Sequence, residues 1–468
     1  MFKSGYSRLA AHVRPIAKAR FASPIARSAA NARFASSFVR PTVKAKFANS
    51  PSHKPKKDED DTPLPIALAW ATGIAAVVGF GYLYLTDASA GVHKHVFIPL
   101  LRLMDPENAH RLSIFLLKQG FSPLDEKPDD PLLEVELWGK RLSNPVGMAA
   151  GFDKNAEVFD GLYGLGFGFV EVGTITPAPQ EGNPKQRLFR IDESGAVINR
   201  MGLNNDGVQV CGDRIRSRFW HLISCQSKKK NETISSLSST IYRSVCNGQL
   251  LGVNLGKNKS SPADSYDDYV YGLQNLGPYA DYVVINVSCP NVKNIAASSD
   301  IGVLESTIAA VLKERNNMEH YLPPIVLKIG PDNSSDQLQL IAQLALDYRV
   351  DGIITTNTTL SRPAGLIDPE DIARQEGGLS GKPLRDMALN TTREMYKLTK
   401  GKIPIIGCGG ISSAEDALAF AKAGASAIQI YTSMTYDGPG KVREIKDGLV
   451  GLLKGRKWTD VIGEDERK

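Results

Sequence analysis

Tyr282-Val283-Val284-Ile285-Asn286-Val287-Ser288-Cys289-Pro290-Asn291 is the stretch on which the fold turns. Its apolar start, rich in β-branched residues, reads as a buried strand. Pro290 cannot continue a ladder, so two amides and a thiol arrive at the strand's carboxyl end. Parallel α/β barrels keep their chemistry at that end. Cys289 is the candidate base, because a thiol of ordinary pKa about 8.5 is pulled toward neutrality by cationic or dipolar neighbours. Standing alone, a cysteine is more often a small buried hydrophobe. The surrounding amides favour the chemical role.

From about residue 130 to 460, short apolar runs alternate with longer amphipathic segments, as in repeated βα units. Eight strands are expected, over 144–150, 169–175, 250–255, 282–287, 325–329, 352–357, 403–408 and 427–431. Eight closes a (β/α)8 TIM barrel, so the fold class is α/β. Polar residues recur at the strand ends: Lys154, Thr174 with Thr176, Asn254 with Lys257, Asn286 with Asn291, Lys328, Thr356 with Asn357, Gly409 with Gly410, and Tyr431 with Thr432. All are expected on one rim. Amides that donate and accept suit a planar ring with alternating N–H and C=O edges, and lysines suit anionic oxygens. The glycine-rich turn 407–412, with Ser380-Gly381 and Tyr431-Thr432, reads as a phosphate cup. The serine- and lysine-rich piece 224–248 reads as a solvated excursion.

The chain has 468 residues and a formal charge of +6, but residues 1–50 hold ten Lys and Arg and no acid. The basic excess is therefore an address, and no basic stripe interleaved with aromatics indicates nucleic acid. Residues 1–50 have the composition of a mitochondrial transit peptide, with Ala-Arg-Phe-Ala-Ser occurring at 19–23 and again at 32–36. A charged linker, 51–63, precedes 64–85, which carries no charge and is long enough to cross a hydrocarbon core of roughly 30 Å as one transmembrane helix. Over 93–125 two short amphipathic helices, parted at Asp105-Pro106, either lie on a bilayer as the mouth of an apolar tunnel or pack as an ordinary hairpin. The five cysteines lack C-x-x-C spacing, so free thiols and no metal site are expected.

The motifs Asn144-Pro145-Val146-Gly147, Ala149-Ala150-Gly151-Phe152-Asp153-Lys154, Pro179-Gln180-Glu181-Gly182-Asn183-Pro184, Asn254-Leu255-Gly256-Lys257-Asn258-Lys259, Thr356-Asn357-Thr358-Thr359 and 377–384 together resemble the dihydroorotate dehydrogenase family, in its membrane-bound, quinone-reducing mitochondrial class. The resemblance covers nearly all of 95–463. It implies an FMN-containing barrel that oxidises dihydroorotate to orotate in pyrimidine biosynthesis and delivers electrons to ubiquinone. The implied FMN contacts are Ala149, Ala150, Gly151, Thr174, Asn199, Asn254, Asn286, Lys328, Thr356, Ser380, Gly381, Gly409, Gly410, Tyr431 and Thr432. Substrate would meet Lys154, Asn199, Arg200, Met201, Gly202, Leu203, Asn286, Asn291, Asn357 and Thr358, with Cys289 as base. His110, Arg190 and Tyr431 would line the quinone tunnel. The implied setting is a monomer anchored by one span in the lipid of the inner mitochondrial membrane, its barrel facing the intermembrane space.

Three departures stand out. The membrane-bound class has Ser where this chain has Cys289, and Cys belongs to the soluble class. Met201 and Leu203 replace common aromatics, and 292–299 differs from the usual sequence. The rival readings are a soluble-class enzyme using fumarate or NAD, and a flavin-free phosphate-binding barrel acting as lyase or isomerase. The uncharged stretch 64–85 argues against the first.

Overall fold

The apolar runs form eight parallel strands: Val146–Met148 (β1), Phe169–Ile175 (β2), Leu250–Leu255 (β3), Tyr282–Asn286 (β4), Ile325–Ile329 (β5), Gly352–Thr355 (β6), Ile405–Cys408 (β7) and Ala425–Ile430 (β8). Each pairs with the next, and β8 returns to β1, so the sheet closes into a barrel. Nearly every strand residue is buried, because side chains fill the interior and helices cover the outside. The computed structural model describes residues 64–230, 241–288, 301–368 and 371–467. The chain divides into Met1–Ile66 and Ala67–Lys468, and the barrel belongs to the second unit. The leader, the charged linker, Cys289 and Asn291 lie outside the described residues.

All eight expected strands are present: three match the expected bounds, four are shorter by one or two residues at one or both ends, and β8 starts two residues earlier and ends one earlier. One irregularity shapes the site. Strict alternation would send Glu171 and Thr174 to opposite faces of β2. The β2–β3 register shifts between Val172 and Ile175, and Gly173 takes a left-handed φ of +112°. A Cβ there would meet the Asn254 carbonyl oxygen at 2.5 Å, so only glycine fits and both polar side chains turn inward.

Above the strand ends stands a three-stranded antiparallel sheet, Leu188–Ile191, Ala196–Asn199 and Gly378–Gly381, which the sequence reading did not foresee. Before the barrel comes helix Leu64–Thr86, whose described side chains are mostly exposed and whose Leu68–Thr86 part is long and apolar enough to cross a membrane. Helices Ile98–Arg102 and Pro106–Lys118 follow, and Asp105 caps the second by accepting from the Asn108 N–H at 3.0 Å. Their base is clamped to the last long helix, Lys441–Leu453. Lys446 Nζ lies 2.7 Å from Asp125 and 2.6 Å from Asp129, and Arg443 joins Asp125 at 2.7 Å.

The expected solvated excursion is corrected on both sides. Helix Gly207–Lys230 runs through its first residues, and beyond 231–240 the chain plunges inward, with Arg243 and Ser244 fully buried. The cause is Asp281, a buried carboxylate at the start of β4. It accepts from the backbone N–H groups of Arg243 (2.7 Å), Ser244 (3.0 Å) and Leu251 (2.8 Å) and pairs with Lys140 Nζ at 2.6 Å. Lys257 is a second correction: its Nζ turns into its own loop and donates to the Pro262 and Ala263 carbonyls at 2.6 and 2.7 Å.

Asp281→Ala would strand a buried lysine and three backbone donors, and truncating one partner of such a pair costs about 3–5 kcal/mol. A loss of that size is expected in denaturant unfolding; a loss under about 1 kcal/mol would mean that the cluster does not hold the insertion.

Candidate functional site

Because all eight strands run in parallel, their carboxyl ends meet on one face, and a cavity of about 1330 Å³ lies there and continues beneath the hairpin helices. Its inner part is polar. Lys154, Asn199, Met201, Gly202, Leu203, Asn286, Asn357 and Thr358 line it, as do Ala149, Ala150, Gly151, Thr174, Lys328, Thr356, Ser380, Gly381, Gly409, Gly410, Tyr431 and Thr432. Its outer part is apolar, with Leu100, Leu101, Leu112 and Leu116 from the two helices. Leu103, just past the first helix, and Phe115 on the second do not line it and are 84% and 56% exposed.

His110 and Arg190 line the same cavity. The His110 ring meets Phe152 edge-on at 5.3 Å, and Phe152 meets Tyr431 edge-on at 5.7 Å, so an aromatic row joins the outer helix to the end of β8. Burial, with some help from the Lys154 charge, pushes His110 down to about 3, which keeps the imidazole neutral. Burial also pulls Lys154 down to about 8, although the Glu107 charge opposes the shift. Arg190 donates to the Met104 carbonyl, and Arg102 reaches Asp192 at 2.7 Å, so the hairpin is stitched to the small sheet.

Two expected residues stand away from the lining. Arg200 lies between Asn199 and Met201, and its guanidinium sits over the Phe189 ring at 4.7 Å and donates to Gln375 and to the Glu376 carbonyl. Asn254 is fully buried behind the lining, where its Nδ2 donates to Glu171 at 2.7 Å and its Oδ1 accepts from Thr174 at 2.6 Å. Ser288, next to the undescribed Cys289, donates to the Lys328 carbonyl at 3.0 Å and accepts from Asn357 at 3.2 Å.

Several residues escaped the sequence reading. Glu171 lies wholly buried in the barrel, 3.6 Å from Lys328 Nζ, and also accepts from Gln429 Nε2 at 2.6 Å. A lone charge inside the apolar run Phe169–Ile175 was the available signal. Glu107 and Arg187 form a buried two-pronged pair at 2.9 and 3.0 Å, which holds the Glu107 carboxyl below its ordinary range. The same guanidinium donates to the Glu181 and Asn183 carbonyls at 2.6 and 2.8 Å, fastening the loop beside Gly202 to the hairpin. In sequence Arg187 looks like any solvated cation.

The lining matches an amphipathic ligand that carries a planar polar ring and an anionic tail. Gln429 Oε1 and Ser433 Oγ are buried with no hydrogen-bond partner among the described residues, and both residues line the cavity. Gly410 has a φ of +73°, and a Cβ there would meet the Arg385 backbone nitrogen at 2.4 Å, so the turn stays open to a ligand at the backbone itself.

A family model described as dihydroorotate dehydrogenase matches residues 132–453. A protein of Oryza sativa subsp. japonica, named dihydroorotate dehydrogenase (quinone), mitochondrial, is 47% identical over 377 residues, 78% of this chain and 79% of its own length. The Mus musculus protein of the same name is 45% identical over 406 residues, 84% of this chain and 97% of its own. A crystal structure of DHODH from Eimeria tenella in complex with ferulenol superposes with a TM-score of 0.70 at 38% identity, covering 78% of this chain and 96% of that one.

Proposed function

The chain belongs to the dihydroorotate dehydrogenase family, and we propose that it is a membrane-anchored member that oxidises (S)-dihydroorotate to orotate in pyrimidine biosynthesis and reduces a quinone, ubiquinone in the mitochondrial setting. The observation that carries this reading is one cavity with two chemistries: amides and lysines at the strand ends, leucines between the hairpin helices. The inner end suits an anionic pyrimidine and the outer end a lipophilic quinone.

The flavin is FMN in this reading. It would accept the hydride that leaves the substrate ring and would release electrons to the quinone. Ser380, Gly381, Gly409, Gly410, Tyr431 and Thr432 would hold its phosphate, and Ala149, Ala150, Gly151, Thr174, Thr356 and Lys328 its ring, with Asn199 and Asn286 between ring and substrate. Asn254 supports Thr174 from behind. Lys154 binds the substrate carboxylate. Asn199, Asn286, Asn291, Asn357 and Thr358 hold the ring edge, while Met201, Gly202 and Leu203 close over it. Cys289 Sγ removes the proton from the ring carbon next to the carbonyl. Lys328 would supply a positive charge beside the flavin ring.

Helix Leu64–Thr86 serves as a single span of the inner mitochondrial membrane, after a cleaved basic leader, with the barrel toward the intermembrane space. Leu103 and Phe115 then rest on lipid, and His110, Arg190 and Tyr431 flank the quinone path. The working unit in this reading is a monomer.

The direct test is a visible spectrum of detergent-purified protein under anaerobic conditions. Flavin bands should bleach with dihydroorotate and return with a ubiquinone analogue; a protein that stays colourless after FMN is supplied would refute the reading. A lysine that loses its proton near pH 8 holds a carboxylate less well above that pH, so orotate affinity should fall roughly tenfold per pH unit beyond it. Constant affinity from pH 7 to 10 would remove Lys154 from that role. A thiol base should keep flavin reduction fast at lower pH than a hydroxyl base permits, with Cys289→Ser retaining some activity and Cys289→Ala losing most. Stopped-flow rates that still climb log-linearly beyond pH 9, or an Ala variant as active as the parent, would exclude Cys289 as the base.

A further inference from the structure

An ionised carboxylate only accepts hydrogen bonds, and inside the barrel that restriction propagates. Glu171 is fully buried and does not itself line the cavity. Asn254 must therefore present its Nδ2, at 2.7 Å, which leaves Oδ1 for the Thr174 hydroxyl at 2.6 Å. That bond consumes the hydroxyl's single proton. Thr174 can then only accept from its other neighbour, so Asn286 gives it Nδ2 at 3.1 Å and is left with Oδ1 on its far side. Asn357 must donate to that oxygen, at 3.2 Å, and its own Oδ1 remains an acceptor, taken in part by the Thr358 N–H at 2.9 Å. Every amide orientation follows from the one before it.

A second arm leaves the same carboxylate. Gln429 gives its Nε2 to Glu171 at 2.6 Å, so its Oε1 is fixed as an acceptor, and that atom is buried without a partner among the described residues. Lys328 Nζ, 3.6 Å away, balances the charge.

We propose that Glu171 is a positioning residue that sets the donor–acceptor polarity of the whole site. It fixes the Asn286 Nδ2 on the Thr174 side, with its second hydrogen left to offer the cavity, and makes Asn357 and Gln429 acceptors. A ligand edge that places C=O against Asn286 and N–H against Asn357 is selected, and the mirror arrangement is rejected, because each wrong pairing faces donor to donor or acceptor to acceptor. The carboxylate also tempers the Lys328 charge felt by the cofactor ring. This inference rests on the dihydroorotate oxidation proposed above.

The test uses the flavin-loaded, full-length protein. The parent is examined first: failure to bleach with dihydroorotate or to show an orotate-induced spectral change refutes the functional reading itself. In Glu171→Gln the new amide can donate, so Asn254 is free to flip and the chain can reverse. Orotate should bind at least tenfold more weakly, and the flavin midpoint potential should become more positive, since Lys328 loses its counter-charge. Glu171→Asp keeps the charge but is one methylene too short to serve Asn254 and Gln429 together, so its potential should stay near the parent's while orotate remains weak. A general structural defect would not split the two readouts in this way. Parent-like orotate affinity in a folded Glu171→Gln protein overturns the proposal. Should that variant not retain flavin, Thr174→Val cuts the same chain one link further out, and undiminished orotate affinity there is equally fatal.

Discussion

An ionised carboxylate in the middle of a closed parallel barrel is tolerated only when it is surrounded by donors and a counter-charge. Glu171 has two amide donors, the Tyr282 hydroxyl at 3.4 Å and the Lys328 ammonium. These come from β3, β8, β4 and β5, so a single charge on β2 engages strands on several sides of the barrel. Most of the barrel's cross-section is apolar and could repack without loss of fold. This polar layer cannot, because each member's orientation depends on the next. The site above inherits that rigidity, and amides that would otherwise rotate are held in one sense.

The hairpin is joined to the site by similar means. The Glu107–Arg187 pair reaches from the first turn of helix Pro106–Lys118 into the loop that carries Asn183, and Asn183, which accepts from Arg187, donates its Nδ2 to the Arg200 carbonyl and its backbone N–H to the Met201 carbonyl. Movement of the apolar entrance is thereby coupled to the walls of the polar chamber. The row His110, Phe152, Tyr431 makes the boundary between the two a surface of aromatic edges, and a neutral imidazole puts no charge beside a lipophilic ligand.

What could be read from the sequence divides along physical lines. The strands were legible because buried parallel strands are short, continuous apolar runs, and the residues at their ends followed once the strand number was known. Arg200 was misassigned to the substrate wall although alternation along Ala196–Asn199 and beyond would have turned it away from Asn199 and Met201. The insertion was misread for a different reason. Arg243 and Ser244 look solvated, and the carboxylate that draws them inward lies some forty residues further along the chain. Arg187 and Lys257 are similar cases: whether a cation is buried is decided by carbonyls and carboxylates that local sequence does not reveal.

The clamp of Asp125 and Asp129 with Arg443 and Lys446 has a consequence for how the chain acquires its shape. Lys446 lies 321 residues beyond Asp125, and β8 must arrive before β1 has a second neighbour. A polypeptide that emerges amino end first therefore exposes its apolar amino-terminal helices long before the base that fastens them exists. Until β8 arrives, the barrel is an open sheet with two unpaired edges. Vectorial delivery makes β8 and the helix after it the keystone of the body: a chain stopped short of β8 leaves an aggregation-prone open sheet, and one stopped between β8 and Lys441–Leu453 leaves Asp125 and Asp129 without their clamp.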